Sequence, residues 1–271
     1  MVAPGDAAGG SRGEPGNREA ELTHALAVVR SRLAAAAEAA GRNVGEIELL
    51  PITKFFPATD VVILSRLGCR AVGESRDQEA SAKVAEVARL ADTGKGSAAS
   101  PWTDSRGIRW HMVGHIQRNK ARSVARWAHT AHSVDSVALV TALDRGAGVA
   151  LADGHRAESL RVYVQLSLDG DVSRGGVDIS NAKAVDQVCD QTAQAKNLKL
   201  VGLMAIPPLD WDPDRAFDRL QSEYRRVLGS HPGAVGLSAG MSNDFEVAVK
   251  HGSTCVRVGT ALLGPRPLPS P

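Results

Sequence analysis

Eight short apolar runs, each followed by a longer stretch of helical character, constrain this chain more than any other feature. The runs are Ile47 to Thr53, Cys69 to Gly73, Arg109 to Gly114, His129 to Val134, Arg161 to Leu168, Leu200 to Ile206, Gly233 to Leu237 and Thr254 to Val258. Between them, segments such as Ala58 to Leu67, Ser75 to Leu90 and Asp214 to Leu228 repeat apolar residues at the spacing of one helix face. Such alternation predicts a parallel sheet, because parallel neighbours need a crossover that a helix supplies. Eight units predict an α/β protein built as a single (β/α)8 TIM barrel. The rival, an open doubly wound sheet, carries a G-x-G-x-x-G turn after its first strand. Here that position reads Thr53-Lys54-Phe55-Phe56-Pro57.

An extra N-terminal helix is expected over Arg18 to Ala40, with Leu22, Leu26, Val29 and Leu33 on one face and Gly41 as its stop. Met1 to Asn17 is small and polar, and reads as a disordered tail. The barrel is expected to span residues 18 to 264. Ala91 to Gly107 interrupts the rhythm with turn-forming residues and reads as a surface excursion. Pro265 to Pro271 holds four prolines in seven residues, which excludes a helix or central strand.

Composition narrows the function classes. With 43% apolar and 23% charged residues and a formal charge of +2, the chain of 271 residues suits a soluble globular protein and gives no sign of a nucleic-acid partner. The basic residues from Arg118 to Arg126 lack interleaved aromatics and read as a solvated helix face. Cys69, Cys189 and Cys255 are too few and too scattered for a disulfide framework. No run approaches the roughly 18 apolar residues that cross a bilayer. A monomeric, cytoplasmic protein without membrane contact is expected.

In a barrel, the loops leaving the C-terminal strand ends build the site, and the last two turns often bind phosphate. Lys54 would leave the first strand at that mouth. Ser238-Ala239-Gly240-Met241-Ser242-Asn243-Asp244 follows the seventh run, and Arg257-Val258-Gly259-Thr260 ends the eighth. Closure makes the first and eighth strands neighbours, so these distant segments should share one rim. A lysine there can form a Schiff base with an aldehyde, and Gly240, Ser242, Gly259, Thr260 and Arg257 can hold that aldehyde's phosphate. Together they read as a site for pyridoxal 5′-phosphate (PLP). Ser242 or Asn243 is expected to cap a helix beginning at Asp244. Arg257 lies in an apolar run and needs an anionic partner, either a ligand or a carboxylate.

The segment Trp110-His111-Met112-Val113-Gly114-His115 leaves two readings for His111: a mouth-lining group or a satisfied buried histidine. His111 and His115 have the spacing of helical metal ligands, but Gly114 intervenes and no thiol or carboxylate accompanies them, so no metal site is expected.

At these residues the chain resembles the YggS/PROSC family of PLP homeostasis proteins, related to the barrel domain of bacterial alanine racemase. The resemblance runs from about Leu22 to Gly264. It rests on the strand ending at Lys54, Gly73-Glu74, Trp110-His111 through Gln117 and Asn119-Lys120, Gly202-Leu203-Met204-Ala205-Ile206, Gly240-Met241-Ser242 and Arg257-Val258-Gly259-Thr260. It implies a fold-type III PLP barrel, a Schiff base on Lys54, phosphate contacts at Met241-Ser242 and Gly259-Thr260, and an Arg257 contact to the phosphate or ring nitrogen. Ser75 stands where the family often has an asparagine near the ring, and Phe55-Phe56 replaces a more polar pair.

The expected function is intracellular PLP homeostasis, buffering the cofactor and delivering it to PLP-dependent apoenzymes, with no catalytic residue assigned. A racemase of this type needs a second acid/base, and Tyr163 and Tyr224 are poorly placed for it. The alternative is a PLP-dependent amino-acid racemase or lyase using Lys54 and His111 or a water.

Overall fold

The eight apolar runs form eight parallel strands that close into a ring. A computed structural model of the chain describes residues 15–92 and 107–266. The strands are β1 (Glu48–Pro51), β2 (Ala71–Glu74), β3 (Arg109–Met112), β4 (Thr130–Val134), β5 (Leu160–Ser167), a two-residue β6 (Val177–Asp178), β7 (Leu198–Ala205), β8 (Gly236–Ser238) and β9 (Cys255–Val258). Their spatial order is β1-β9-β8-β7-β5-β4-β3-β2, with β6 appended to β5. A parallel bridge from Ile52 to Gly73, carried by Thr53 N–H donating to the Gly73 carbonyl at 2.9 Å, joins the two ends. The architecture is the expected (β/α)8 barrel. At Gly73 the strands approach closely: a Cβ there would stand 2.6 Å from Ile52 Cδ1, so that side chain would have to shift.

Helices α1 (Pro15–Ala39), α2 (Ala58–Arg66), α3 (Asp77–Asp92), α4 (Ala121–Trp127), α5 (Val137–Ala152), α6 (Ala182–Gln194), α7 (Pro213–Ser230), α8 (Phe245–Lys250) and α9 (Thr260–Leu263) supply the outer layer. Along each strand, successive side chains point to opposite faces. Trp110 and Met112 enter the apolar layer under the helices, whereas His111 between them points into the barrel; Val256 and Val258 pack outward, and Arg257 points in. The interior is therefore unusually polar, holding His111, His132, Ser238 and Arg257 beside Leu50, Met204 and Cys255.

The N-terminal helix starts at Pro15, three residues before the expected Arg18, because Pro is favoured in the first helical turn. Its stripe of Leu22, Leu26, Val29, Leu33 and Ala37 is buried with Phe245, Val249, Val256 and Leu262. Burying each of the leucine and valine side chains is worth about 1.5–3 kcal/mol. Arg18 clamps the helix to buried Asp60 at 2.6 Å and to the Leu263 carbonyl at 3.0 Å. Two expectations shift. The seventh run pairs only from Gly236, since residues 231–235 form a turn in which Tyr224 Oη donates to the Val235 carbonyl at 2.7 Å. The rim stretch after β5 also holds the unanticipated β6. Most of the expected N-terminal tail, the excursion before β3 and the proline-rich end lie outside the described residues. Among the described residues, no helix is long and apolar enough to cross a membrane.

Candidate functional site

Lys54 sits just past β1, in a tight turn closed by Phe56 N–H donating to the Thr53 carbonyl at 3.1 Å. The next residue, Phe55, has φ of 71°, a left-handed conformation that a bulky side chain adopts at a cost of about 1–3 kcal/mol. Such strain persists where the surroundings hold it. Here Phe55 is faced by the guanidinium of Arg266 at 3.6 Å and that of Arg76 at 5.7 Å from its ring centre. Beneath the turn, Thr53 Oγ1 donates to Glu74 Oε1 at 2.7 Å, and Lys83 Nζ donates to the same oxygen at 2.7 Å and to the Thr53 carbonyl at 2.9 Å. This buried lattice anchors the residue preceding Lys54. Among the described residues, the half-buried Lys54 amine has no hydrogen-bond or ion-pair partner of its own.

The two downstream corners meet beside it. Leu50 pairs with Arg257 and Pro51 with Val258, so the segment after β1 runs alongside Gly259 and Thr260. Ala261 N–H donates to Ser242 Oγ at 3.2 Å, joining the corner after β8 to the corner after β9. Arg32 of α1 holds the first corner from outside, donating to the Ser242 carbonyl at 3.1 Å and to Glu246. Among the described residues, the backbone N–H groups of Ser242, Gly259 and Thr260 donate to no protein acceptor. Unpaired amides on two joined corners of a barrel mouth can serve as a cradle for an oxyanion.

The two glycines of the cradle differ. Gly240 has φ of 90°, and a Cβ there would lie 2.6 Å from Ala248 Cβ and 2.8 Å from Phe245 Cα, so its small size serves packing against α8. At Gly259 a Cβ would meet only Ile52 at an ordinary 3.7 Å. No protein neighbour demands glycine at that position, which leaves space for a ligand. The capping expectation is corrected: α8 begins at Phe245, its N-cap is Asp244, and Asp244 Oδ1 accepts from Met241 N–H at 2.5 Å. Ser242 faces the other corner because Asp244 closes the turn itself.

Arg257, only 4% exposed, donates to Ser238 Oγ at 2.6 Å and to the Ala205 carbonyl at 2.9 Å. Burial lowers its pKa from the usual arginine value, and no carboxylate lies within ion-pair distance among the described residues. Among the described residues its partners are therefore a hydroxyl and a carbonyl, not the carboxylate that was one of the two expected. Ser238 Oγ also lies 3.0 Å from His132 Nδ1, and His132 Nε2 lies 2.9 Å from His111 Nδ1. Burial holds His111 at a pKa of about 3 and puts His132 well below the ordinary value.

His111 is thus a buried member of an internal relay. It lines a cavity at the N-terminal strand ends, away from the mouth that carries Lys54. Ser75 follows β2 on the mouth side and borders a cleft of about 330 Å³ with Arg76, His115, Gln117 and Lys120. The structure brings Lys54, Met241, Ser242, Gly259 and Thr260 to one rim, with Ser238 and Arg257 in the interior below the corners. Sequence reasoning missed Lys83, Glu74 and His132 as supporting groups. His132 and Glu74 showed only as an imidazole and a charge in apolar runs and Lys83 as one more helix lysine, and none of these signals gives a partner.

Residues 30–267 match the family model of the alanine racemase N-terminal domain. The pyridoxal phosphate homeostasis protein of Mycobacterium bovis is 72% identical over 255 residues, covering 94% of this chain and 96% of the relative. The protein belongs to this family. A second member, from Corynebacterium glutamicum, is 42% identical over 89% of this chain and 100% of its own length. Among solved structures, PipY of Synechococcus elongatus with PLP bound superposes with a TM-score of 0.71 at 30% identity, covering 90% of this chain and all of PipY. The family's barrel is the one described above, and the resemblance noted in the motifs extends across nearly the whole chain.

Proposed function

We propose that the chain binds PLP at the C-terminal mouth of the barrel and serves in PLP homeostasis, holding the cofactor on Lys54 and releasing it to apoenzymes. The observation that carries this reading is the junction of the two corners through Ser242 and Ala261, with three free amides beside the Lys54 turn. The residues present fit the group. Ser242, Gly259 and Thr260 offer N–H donors to a phosphate, Lys54 offers the amine, and Arg257 offers a buried positive charge below them. PLP, when bound, supplies an aldehyde that condenses with a primary amine.

The protein's own residues then divide the work. The corner amides bind and orient the phosphate. The Thr53–Glu74–Lys83 lattice fixes the stem of the Lys54 turn. Arg257 keeps a positive charge in the interior, which disfavours protonation of any ring nitrogen brought near it and so weakens an electron sink. Such an arrangement suits storage better than turnover. Support also comes from the tyrosines: Tyr163 lies at the opposite end of the barrel and Tyr224 on α7 bonds Val235. We take the working unit to be the monomeric barrel of residues 18–264 in the cytoplasm.

Reduction of the PLP-treated protein with borohydride, followed by peptide mass spectrometry, tests the reading. A pyridoxyl adduct on Lys54 is expected; an unmodified Lys54, or an adduct only elsewhere, overturns it. Incubation with L- and D-amino acids in deuterated water tests the homeostasis role, where rapid Cα exchange lost in Lys54→Ala would favour a racemase.

A further inference from the structure

A second polar cavity, of about 270 Å³, opens at the N-terminal ends of the strands and includes Glu48, Arg109, His111, His129, Arg161 and Tyr163 in its lining. It lies at the barrel end opposite the mouth, where strand residues ordinarily serve stability alone. Its groups are poorly satisfied. Arg109 is ion-paired to Glu48, but among the described residues the Arg161 guanidinium has no ion-pair or hydrogen-bond partner. The Tyr163 hydroxyl, on a residue only 6% exposed, also has none. His111, 3% exposed, has a buried Nε2 that meets no protein partner. A buried polar atom without a partner, here His111 Nε2, is costly, and with the unpartnered Arg161 guanidinium and Tyr163 hydroxyl lining the same cavity it calls for an occupant.

The occupant's chemistry follows from the lining. Two guanidinium charges less one carboxylate leave one positive charge, since burial keeps His111 and His129 neutral. Arginine and tyrosine offer hydrogen-bond donors there. His111 can offer another. When the Ser238 hydroxyl donates to His132 Nδ1, His132 Nε2 donates to His111 Nδ1, and the His111 proton resides on Nε2, facing the cavity. An acceptor in the cavity would select this tautomer.

We propose that this basal cavity is a binding site for a small oxyanion of the phosphate or carboxylate class, held by Arg161, the Tyr163 hydroxyl and His111 Nε2–H. The site is independent of the cofactor reading, because none of its donors belongs to the corners at the mouth. Arg109 and Glu48 form its rim, with their ion pair limiting the net charge and so favouring a singly charged guest.

The test is a titration of the full chain with inorganic phosphate, and separately with acetate, at constant ionic strength set by chloride. Nitrogen-detected NMR follows the imidazole of His111 and the guanidinium of Arg161. Saturable movement of both, with His111 settling in the Nε2–H form, is expected. Whichever of the two anions saturates first identifies the guest class. Arg161→Gln should weaken the phosphate effect at least about tenfold while Arg161→Lys retains part of it. Ser242→Ala, which touches only the mouth, should leave it unchanged. Failure of the His111 and Arg161 signals to move with either anion in the wild-type protein, or an undiminished response in a folded Arg161→Gln, overturns the proposal. Should Arg161→Gln not fold, Tyr163→Phe serves in its place, and the wild-type signals still decide.

Discussion

Ala261 N–H donates to Ser242 Oγ at 3.2 Å, so the corner after β8 and the corner after β9 are a single unit. Each corner alone is a short glycine-containing turn of a kind found in many proteins. Joined, and steadied by Arg32 of α1, they present amides with no protein acceptor to the neighbourhood of Lys54.

Ser242→Ala removes the acceptor of that bond. We expect PLP retention to weaken by about 1 kcal/mol, the net worth of one such hydrogen bond, with little change in the folded spectrum. Equilibrium dialysis of wild type and variant against PLP measures the difference.

Lys54→Ala deletes the amine but leaves the phosphate cradle intact. Covalent trapping by borohydride should vanish, while weaker binding that depends on the phosphate persists, with Kd raised more than about tenfold. Comparing PLP with pyridoxal separates the two contributions: only the phosphorylated compound should bind the variant.

Lys83→Met leaves the fully buried Glu74 carboxylate with the Thr53 hydroxyl as its remaining side-chain donor among the described residues, and Glu74 Oε2 already has no partner. Removing one member of a buried ion pair costs roughly 3–5 kcal/mol. Urea denaturation should record that loss, and PLP attachment should slow, because the carbonyl preceding Lys54 is no longer held.

Gly240→Ala forces a side chain into a backbone of φ 90° and against Ala248 and Phe245. A destabilisation of about 1–3 kcal/mol is expected, read as a lowered Tm. Gly259→Ala meets no such obstacle in the protein, so it should fold normally and lose affinity for PLP. The pair of variants separates a packing glycine from a ligand-approach glycine.

Acid should destabilise the barrel earlier than carboxylate protonation alone predicts. His111 and His129 have ordinary values near 6.5 and are held at about 3 in the folded state. Between those values the unfolded chain binds protons that the folded chain refuses, so stability is full above about pH 6.5 and falls as pH drops. Tm measured from pH 8 to pH 5 should decline below 6.5, and His111→Gln should flatten that decline.

The barrel was legible because its signal is local. Each strand is a short apolar run and each helix a periodic stretch, and the count of eight follows without any knowledge of contacts. The rim position of Lys54 followed from closure, since β1 must meet β9. Side-chain partners were not legible in the same way. His132 and Ser238 lie 106 positions apart and touch only because the interior faces of β4 and β8 converge. Lys83 looks like any solvated helix lysine until its amine is seen on buried Glu74. His111 left two readings open because alternation tells inward from outward but not which end of the barrel a side chain serves. The two-residue β6 is too short for any periodicity to register.

The closure of the ring between its first and final strands has a consequence for biosynthesis. Lys54 emerges from the ribosome early, yet the corners that would grip a phosphate beside it come from the last strands made. On the proposed reading, the nascent chain thus carries the Lys54 amine before its cradle exists, and selective capture of the vitamin can begin only when the polypeptide is nearly finished.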